Sequence, residues 1–570
     1  MAKELDCFEN WPFVVPDLDK ACVKIEKLVE EMNNASDGPT ALAVYKKMGK
    51  FTDKIMDDLT HISVLYSLET TNEEYSKANE YVDNNSPKLS AYMQEFTKAM
   101  INSKYRDYLE EKLGTFIFTM FDYSLKSFDE KIIEEAIEEN NLVSEYMKVQ
   151  ASVRIKFRGE EYNMSQMGKY LTSNDRETRK EASNAYYKAL ESFKDTFEEI
   201  YDKLVKVRTR MAKKMGYESY TDLAYIRMNR YDYTPEMVAS YRDQIAEVVT
   251  PIATKLAKEQ AKLLGLKSLK VYDLGSHFQN GNPIPNGTTE DKVNAAKKLY
   301  KELSPDTDYF FNFMVDHHLM FLDAKPGKQS GGYMTYFPVH QCPIIFSNFN
   351  GTSGDVDVLT HEFGHSFQAY ASRGIAVSEY RQPTMESCEC HSMSMEFFAE
   401  PYMQYFFDNP DKYRYVHLAD SISFLPYGVT VDEFQHWVYA NPEATPAERD
   451  AKWHELELKY TPYKVKAYKG CKYMEEGHRW LTQNHIFSTP FYYIDYTLAQ
   501  VIAFEFFNLD RKNHERAWKK YMKLCKTGGK YPFVTLINSV GLKSPFEPGV
   551  LKKTVKPLVK VLKDYHPENF

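Results

Sequence analysis

The stretch Asp355-Val-Asp-Val-Leu-Thr-His361-Glu362-Phe-Gly-His365-Ser-Phe-Gln-Ala-Tyr370 organises this 570-residue chain. It contains the pattern H-E-x-x-H. On an α-helix, residues four apart share one face, about 40° apart around the axis and about 6 Å apart along it. His361 and His365 are then set to share one Zn²⁺, and Glu362 stands beside them to take a proton from the water that such a metal holds. The flanks suit a helix of about 18 residues. Thr352 or Ser353 is expected at its N-cap, Asp355 and Asp357 in its first turn, and Gly374 at its C-terminal stop. The plainer alternative is a half-buried helix whose histidines are only hydrogen-bonded.

A hydrolytic zinc needs a third protein ligand and an open fourth position. Downstream, residues 385–400 run without proline and are rich in Met, Phe and Ala, which predicts a second helix. Glu389 and Glu396 are seven apart and share a face, with Glu386 and Glu400 near it. Pattern alone leaves the choice among these four glutamates open. Cys388, Cys390 and His391 are rival ligands by chemistry. C-x-C-H is not a common spacing for a closed zinc site, and the cysteines read better as small packing residues.

Upstream, residues 330–337 and 343–350 read as two short strands around a turn, the second leading into the motif helix. A strand edge near a metal can pair with the backbone of an extended peptide, which tolerates varied side chains. Gly331 and Gly332 would admit that backbone closely. The alternative is an ordinary hairpin that supports the helix.

His361-Glu-Phe-Gly-His365 followed by Glu389-Cys-His-Ser-Met-Ser-Met-Glu396-Phe-Phe resembles the thimet oligopeptidase and oligoendopeptidase F family of zinc metallopeptidases. Within it the chain is most like the oligoendopeptidase F and Pz-peptidase branch. The resemblance implies that Glu389 is the third zinc ligand and that Glu396 orients a zinc histidine from behind. It extends to His485-Ile-Phe-Ser-Thr-Pro-Phe-Tyr492-Tyr493-Ile-Asp-Tyr496. There it implies a transition-state tyrosine at Tyr496, a substrate-binding tyrosine at Tyr493 and a substrate-side histidine at His485. The spacing departs from the family pattern by about one residue, which leaves Tyr492 as a rival to Tyr493. Without the resemblance this segment reads as a buried aromatic helix. The implied fold is mainly α: two helical lobes around a deep substrate channel, with a small β-sheet next to the zinc helix. The implied boundary puts an N-terminal helical lobe at residues 1–170 and the catalytic region at 171–570. Its zinc site lies at about 361–396 and its tyrosine-rich wall at about 485–500.

Composition bounds the rest. Hydrophobic residues make up 43%, enough for a large core, and no low-complexity linker or clear internal repeat interrupts the chain. A net charge of -9 argues against nucleic acid as a partner. The opening residues lack an apolar run, and no stretch of about 18 apolar residues occurs, so neither a leader nor a membrane span is expected. Seven scattered cysteines fit reduced thiols in the cytoplasm.

Elsewhere the pattern is mostly helical. Residues 17–32 form a periodic segment with Val23, Ile25, Leu28 and Val29 expected on the buried stripe, ended by Asp37-Gly38-Pro39. Ser86-Pro87 reads as the opening of another helix. Residues 153–162 alternate and read as a β-hairpin about Arg158-Gly159. Asn174 with Glu177 resembles a capping box that opens a helix towards Met215.

The expectation is a zinc oligoendopeptidase with one Zn²⁺ per chain and short peptides as substrates. Two alternatives differ in class. A zinc carboxypeptidase would hold the substrate carboxylate through an arginine; Arg373, Arg381 and Arg479 are candidates without diagnostic context. A helical peptide-binding protein with structural zinc would have no need of Glu362 as a base. Oligomeric state is not legible.

Overall fold

The computed structural model describes residues 5–329 and 331–570. Residues 1–4, part of the opening segment, and Ser330, expected at the start of a strand, lie outside the described residues. The fold is mainly α, with five short strands among the described residues. No described helix is long and apolar enough to cross a membrane. The chain forms two compact units, each assembled from three stretches. The first comprises Met1–Glu130, Ile284–Asp408 and Leu509–Leu542; the second comprises Lys131–Pro283, Asn409–Asn508 and Lys543–Phe570.

The first unit opens with helices Leu18–Asn33, Gly38–Leu68 and Glu73–Ile101. The side chains of Asp17, Asp37 and Asn72 accept from backbone N–H groups of the first turns, which would otherwise lack partners. The buried stripe of the first helix is Leu18, Ala21, Cys22, Ile25, Leu28 and Met32. Val23, expected there, is 51% exposed. It lies about 100° around the helix from Cys22, off the stripe. Pro87 does not open a helix but sits inside Glu73–Ile101. Ser86 Oγ donates back to Val82 O at 2.7 Å instead of capping forward. Burial of Ala78, Leu89 and Phe96 along one continuous helix outweighs the local break.

The same unit holds a three-stranded sheet with strands in the spatial order Met320–Asp323, Cys342–Phe349, Tyr333–Phe337. The hairpin pairs β4 (Tyr333–Phe337) antiparallel with β5 (Cys342–Phe349). A further strand, β3 (Met320–Asp323), lies parallel to β5 on its other side. Seven of the eight residues from Cys342 to Phe349, all but Asn348, are buried, as a central strand covered on both faces requires.

In the second unit, β1 (Ile155–Phe157) and β2 (Glu160–Tyr162) form the expected hairpin. Arg158 and Gly159 both take positive φ, 50° and 88°, as a tight two-residue hairpin turn needs. The next helix is capped one residue later than expected, by Asp175, whose carboxylate accepts from Thr178 N at 2.9 Å. It ends at Glu191, and a second helix, Lys194–Met215, follows.

Candidate active site

The motif helix is Gly354–Ser372. Neither Thr352 nor Ser353 caps it with a side chain: Ser353 makes no cap bond, and Thr352 Oγ1 donates to Asn350 Oδ1 at 2.7 Å. Asp355 does that local work in another way. Its two oxygens accept from Asn350 N at 2.8 Å and Gly351 N at 2.9 Å, tying the end of β5 to the helix start. At the far end, Arg373 keeps helical angles and Gly374 is not in the left-handed region.

The second helix is Met385–Ala399 and packs across the motif. Gly364 makes this possible. A Cβ there would lie 2.7 Å from Ser392 Cα and 2.8 Å from His391 O, both backbone atoms. The motif's second free position is therefore where the two helices touch.

Their approach brings His361, His365 and Glu389 together, with ligand atoms all within 4.8 Å of one another. His361 Nε2 is 3.2 Å and His365 Nε2 is 3.5 Å from Glu389 Oε2. A tetrahedral ion with bonds of about 2.0–2.1 Å has ligand–ligand edges of roughly 3.4 Å, which the two edges to Glu389 match. Glu396 stands behind, its Oε1 2.7 Å from His361 Nδ1. That bond puts the proton on Nδ1 and leaves Nε2 free to ligate. Burial opposes charging of His361, but hydrogen bonds to Glu389 and Glu396 hold its pKa well above the ordinary imidazole value. Burial likewise opposes ionisation of Glu389, yet the two histidines hold its carboxyl well below the usual range.

Glu362 lies on the same helix, 8% exposed, and its Oε2 has no hydrogen-bond partner among the described residues. Burial raises its pKa against the pull of His361 and His365. The other expected ligands stand apart from this group. Glu386 accepts from Thr384 Oγ1 at 2.9 Å, and Glu400 is buried in the next turn. Cys390 is buried, and Cys388 Sγ donates to Pro383 O at 3.5 Å. His391 is fully buried, and its pKa falls to about 4 through that burial and the charge of His365.

β4 is an edge strand. Gly331 precedes it with φ 98°, and a Cβ there would meet nothing within 4 Å. Gly332 is tighter: a Cβ would lie 3.4 Å from Phe346 O and 3.4 Å from Val358 Cγ1 on the motif helix.

The tyrosine-rich segment belongs to the second unit. His485 sits in the short helix Asn484–Ser488, and Tyr493 and Tyr496 lie in the first turn of Tyr493–Asp510. Tyr496 OH is 3.4 Å from His485 Nε2. The His485 ring centre is 5.0 Å from that of Tyr493 and 5.8 Å from that of Tyr492. Tyr492 is buried, whereas Tyr493 is partly exposed and packs on Phe424 and Tyr427. Two residues unforeseen in the sequence orient the histidine. Tyr427 OH donates to Gln483 Oε1 at 2.6 Å, which turns the Gln483 amide nitrogen towards His485 Nδ1 at 2.9 Å. Nδ1 must then accept, leaving the proton on Nε2 beside Tyr496.

Two buried arginines hold the backbone of the same segment. Arg208 donates to Phe487 O and pairs with Glu139 at 2.6 Å. Arg230 donates to Phe491 O and pairs with Asp495 at 3.0 Å. Of the arginines considered as carboxylate holders, Arg373 stacks on Tyr370 and Arg381 pairs with Asp53 at 2.9 Å. Arg479 alone of the three lines a cavity of the second unit.

Comparison with known proteins gives consistent matches. The model of Peptidase family M3 matches residues 169–555, and that of the Peptidase M3 N-terminal domain matches residues 8–128. The structure of PZ peptidase A with an inhibitor superposes with a TM-score of 0.95 and 41% identity, covering 98% of this chain and all of that one. Oligopeptidase PepF of Bacillus subtilis is 21% identical over 85% of this chain and 75% of its own length. An oligoendopeptidase F homologue of Lactococcus lactis is 24% identical over 47% of this chain. The match spans less than half the length of that relative, 44% of it.

Proposed function

The chain belongs to Peptidase family M3, and from that footing we propose that it is a zinc-dependent oligoendopeptidase that cuts internal bonds of short peptides. The observation that supports this most is the convergence of His361, His365 and Glu389 beside a buried Glu362 oxygen without a partner. A two-histidine, one-carboxylate donor set suits zinc. His361, His365 and Glu389 would hold the ion, which when bound acidifies a water and polarises the scissile carbonyl.

Glu362 accepts the proton of that water as the peptide carbon is attacked, then passes it to the leaving amine. Its raised pKa suits both halves of the task, because a base that must later act as an acid works best near the operating pH. Tyr496 and the Nε2–H of His485 are proposed donors to the carbonyl oxygen as it gains charge; losing one such donor typically costs about 10²–10³ in rate. The open edge of β4, with Gly331 and Gly332, is proposed to pair with substrate backbone, and Tyr493 to bind a substrate residue. The seven scattered cysteines support a cytoplasmic setting for this activity.

The test is mass spectrometry of several unrelated peptides of about ten residues, incubated with the protein, with chelator, and with chelator followed by zinc. Internal cuts that stop with chelator and return with zinc are expected. C-terminal trimming would make it a carboxypeptidase. Glu362→Gln is expected to keep its zinc and lose at least about 10²-fold in kcat. Full activity in that variant would remove Glu362 as the base.

A further inference from the structure

A cavity of about 560 Å³ lies within the second unit, separate from the metal-ligand group of the first. Tyr493, Gln483 and Phe424 form part of its wall, and Tyr427, Lys464 and Arg479 another. Two of these connect it to the tyrosine-rich segment: Gln483 holds His485, and the Tyr493 ring centre is 5.6 Å from that of Tyr496.

The charges around the cavity do not balance. Asp420 is 3.2 Å from His277 and is matched by it. Arg479 donates to Tyr468 OH at 3.1 Å and lies 4.0 Å from Glu457, with its plane over Tyr427. The Lys464 ammonium makes no hydrogen bond and no ion pair among the described residues, though Glu457 and Asp420 both attract its charge; it lies 5.2 Å from the Tyr427 ring centre. One positive charge is thus left at the wall of a cavity. Taking a cation out of water without a counter-charge is costly, and the lysine responds as expected: burial and the neighbouring Arg479 lower its pKa to about 7. An anion entering the cavity removes that cost.

The chemistry of the walls narrows the anion. A single free ammonium, with no free arginine fork beside it, suits a monoanion better than a phosphate. The aromatic rings of Phe424, Tyr427 and Tyr493 suit the apolar part of a peptide residue next to the charge. We infer that this cavity is a peptide-carboxylate site, with Lys464 as the counter-charge and the tyrosine walls holding the residue that carries the carboxylate. The inference rests on the peptidase proposal for its substrate class. Its consequence is a register: a peptide anchored by its terminal carboxylate has a fixed number of residues between that end and the cut. A carboxylate from an aspartate or glutamate side chain would fix the register by sequence instead.

The experiment is calorimetric titration of the full-length Glu362→Gln protein, so that binding is read without turnover. Three ligands are compared: a peptide with a free C-terminus, the same peptide amidated, and the amidated peptide with one glutamine replaced by glutamate. The free acid is expected to bind roughly tenfold more tightly than the amide. Adding Lys464→Met should abolish that gap, and Lys464→Arg should preserve it. A gap that appears only with the glutamate peptide, and depends on Lys464, assigns the carboxylate to a side chain. Equal binding of all three ligands, or a gap that survives Lys464→Met, overturns the inference. Thermal unfolding of each variant checks the fold, and the charge-retaining arginine variant separates loss of charge from loss of packing. Cleavage by the unmodified protein is scored separately: its absence counts against the peptidase proposal, whereas cleavage without carboxylate preference counts against this site alone.

Discussion

His361 has its two ring nitrogens committed to different carboxylates, Nδ1 to Glu396 at 2.7 Å and Nε2 to Glu389 at 3.2 Å. The first bond fixes the tautomer, so in the proposed site Glu396 would act on the metal without touching it. Glu396→Ala is expected to lower zinc affinity about 10–100-fold, read by competition with a chromophoric chelator, while Glu396→Gln, which keeps an acceptor oxygen, falls between. The same contacts set a pH dependence. In the metal-free protein, Glu389 and Glu396 outweigh burial and hold the His361 pKa above its ordinary value. The imidazole therefore keeps its proton where a free one would lose it, and zinc must displace that proton. Affinity should rise with pH by close to one log unit per unit from the ordinary imidazole value of 6.5 upward, with one proton released per ion in calorimetry across buffers of different ionisation enthalpy. A flat profile would mean that His361 is already neutral. His361, Glu362 and His365 were legible in the sequence because helical period alone sets their faces. Glu389 was legible only through family resemblance, since Glu386 and Glu396 share its helix and Glu400 follows directly after it. Gln483, Tyr427, Arg208 and Arg230 were not legible: Gln483 and Tyr427 act across 56 residues, and Arg208 reaches Phe487 across 279, separations that no local pattern encodes.

The two helices of the first unit's site meet through Gly364, which looked like an unconstrained letter of the motif. Alanine there would drive a Cβ to 2.7 Å from Ser392 Cα, and a backbone atom cannot move aside as a flexible side chain can. Gly364→Ala would ordinarily favour a helix by up to about 1 kcal/mol. Here overpacking, typically about 1–3 kcal/mol, opposes that gain. The expected result is a net loss of thermal stability together with weaker zinc retention, because any separation of the helices carries Glu389 away from the two histidines. Stability that rises with zinc affinity unchanged would show that the contact gives way easily. Element-level expectations failed where packing overruled local signals. Pro87 reads as a helix start, yet it sits within a helix whose buried side chains continue on both sides of it. β3 offers four residues with little alternation and is held by its pairing to β5, more than 20 residues later in the chain. The motif helix itself was foreseen in extent but not in how it begins, because Asp355 binds backbone before the helix where a capping serine or threonine was expected.

At the scale of the whole chain, each compact unit gathers three separate stretches, so contacts between distant segments have to carry what a linker and local folding would carry elsewhere. The second unit concentrates this in one buried group. Glu139, on the helix Ile133–Ser152, accepts from Arg208 at 2.6 Å and from Arg227 at 3.1 Å, and Arg208 in turn binds the carbonyls of Ile486 and Phe487 next to His485. Burial alone would raise the Glu139 pKa, but the two arginines lower it below the ordinary value of 4.5. A depressed folded-state pKa contributes stability that is fully present above the unfolded value and is lost as pH falls through the folded one. Glu139→Gln should therefore lower stability at neutral pH by about 3 kcal/mol, since it leaves the fully buried Arg208 short of a counter-charge. The deficit should shrink below pH 4.5, where the parent carboxylate also takes up a proton. Denaturant unfolding of both proteins along a pH series reads this directly. A deficit that stays constant with pH would assign the cost to altered packing and not to charge. Because Arg208 spans Glu139 and the His485 segment, the variant should also lose peptide-cleaving activity while keeping its zinc, a combination that damage to the metal-ligand group of the first unit would not give.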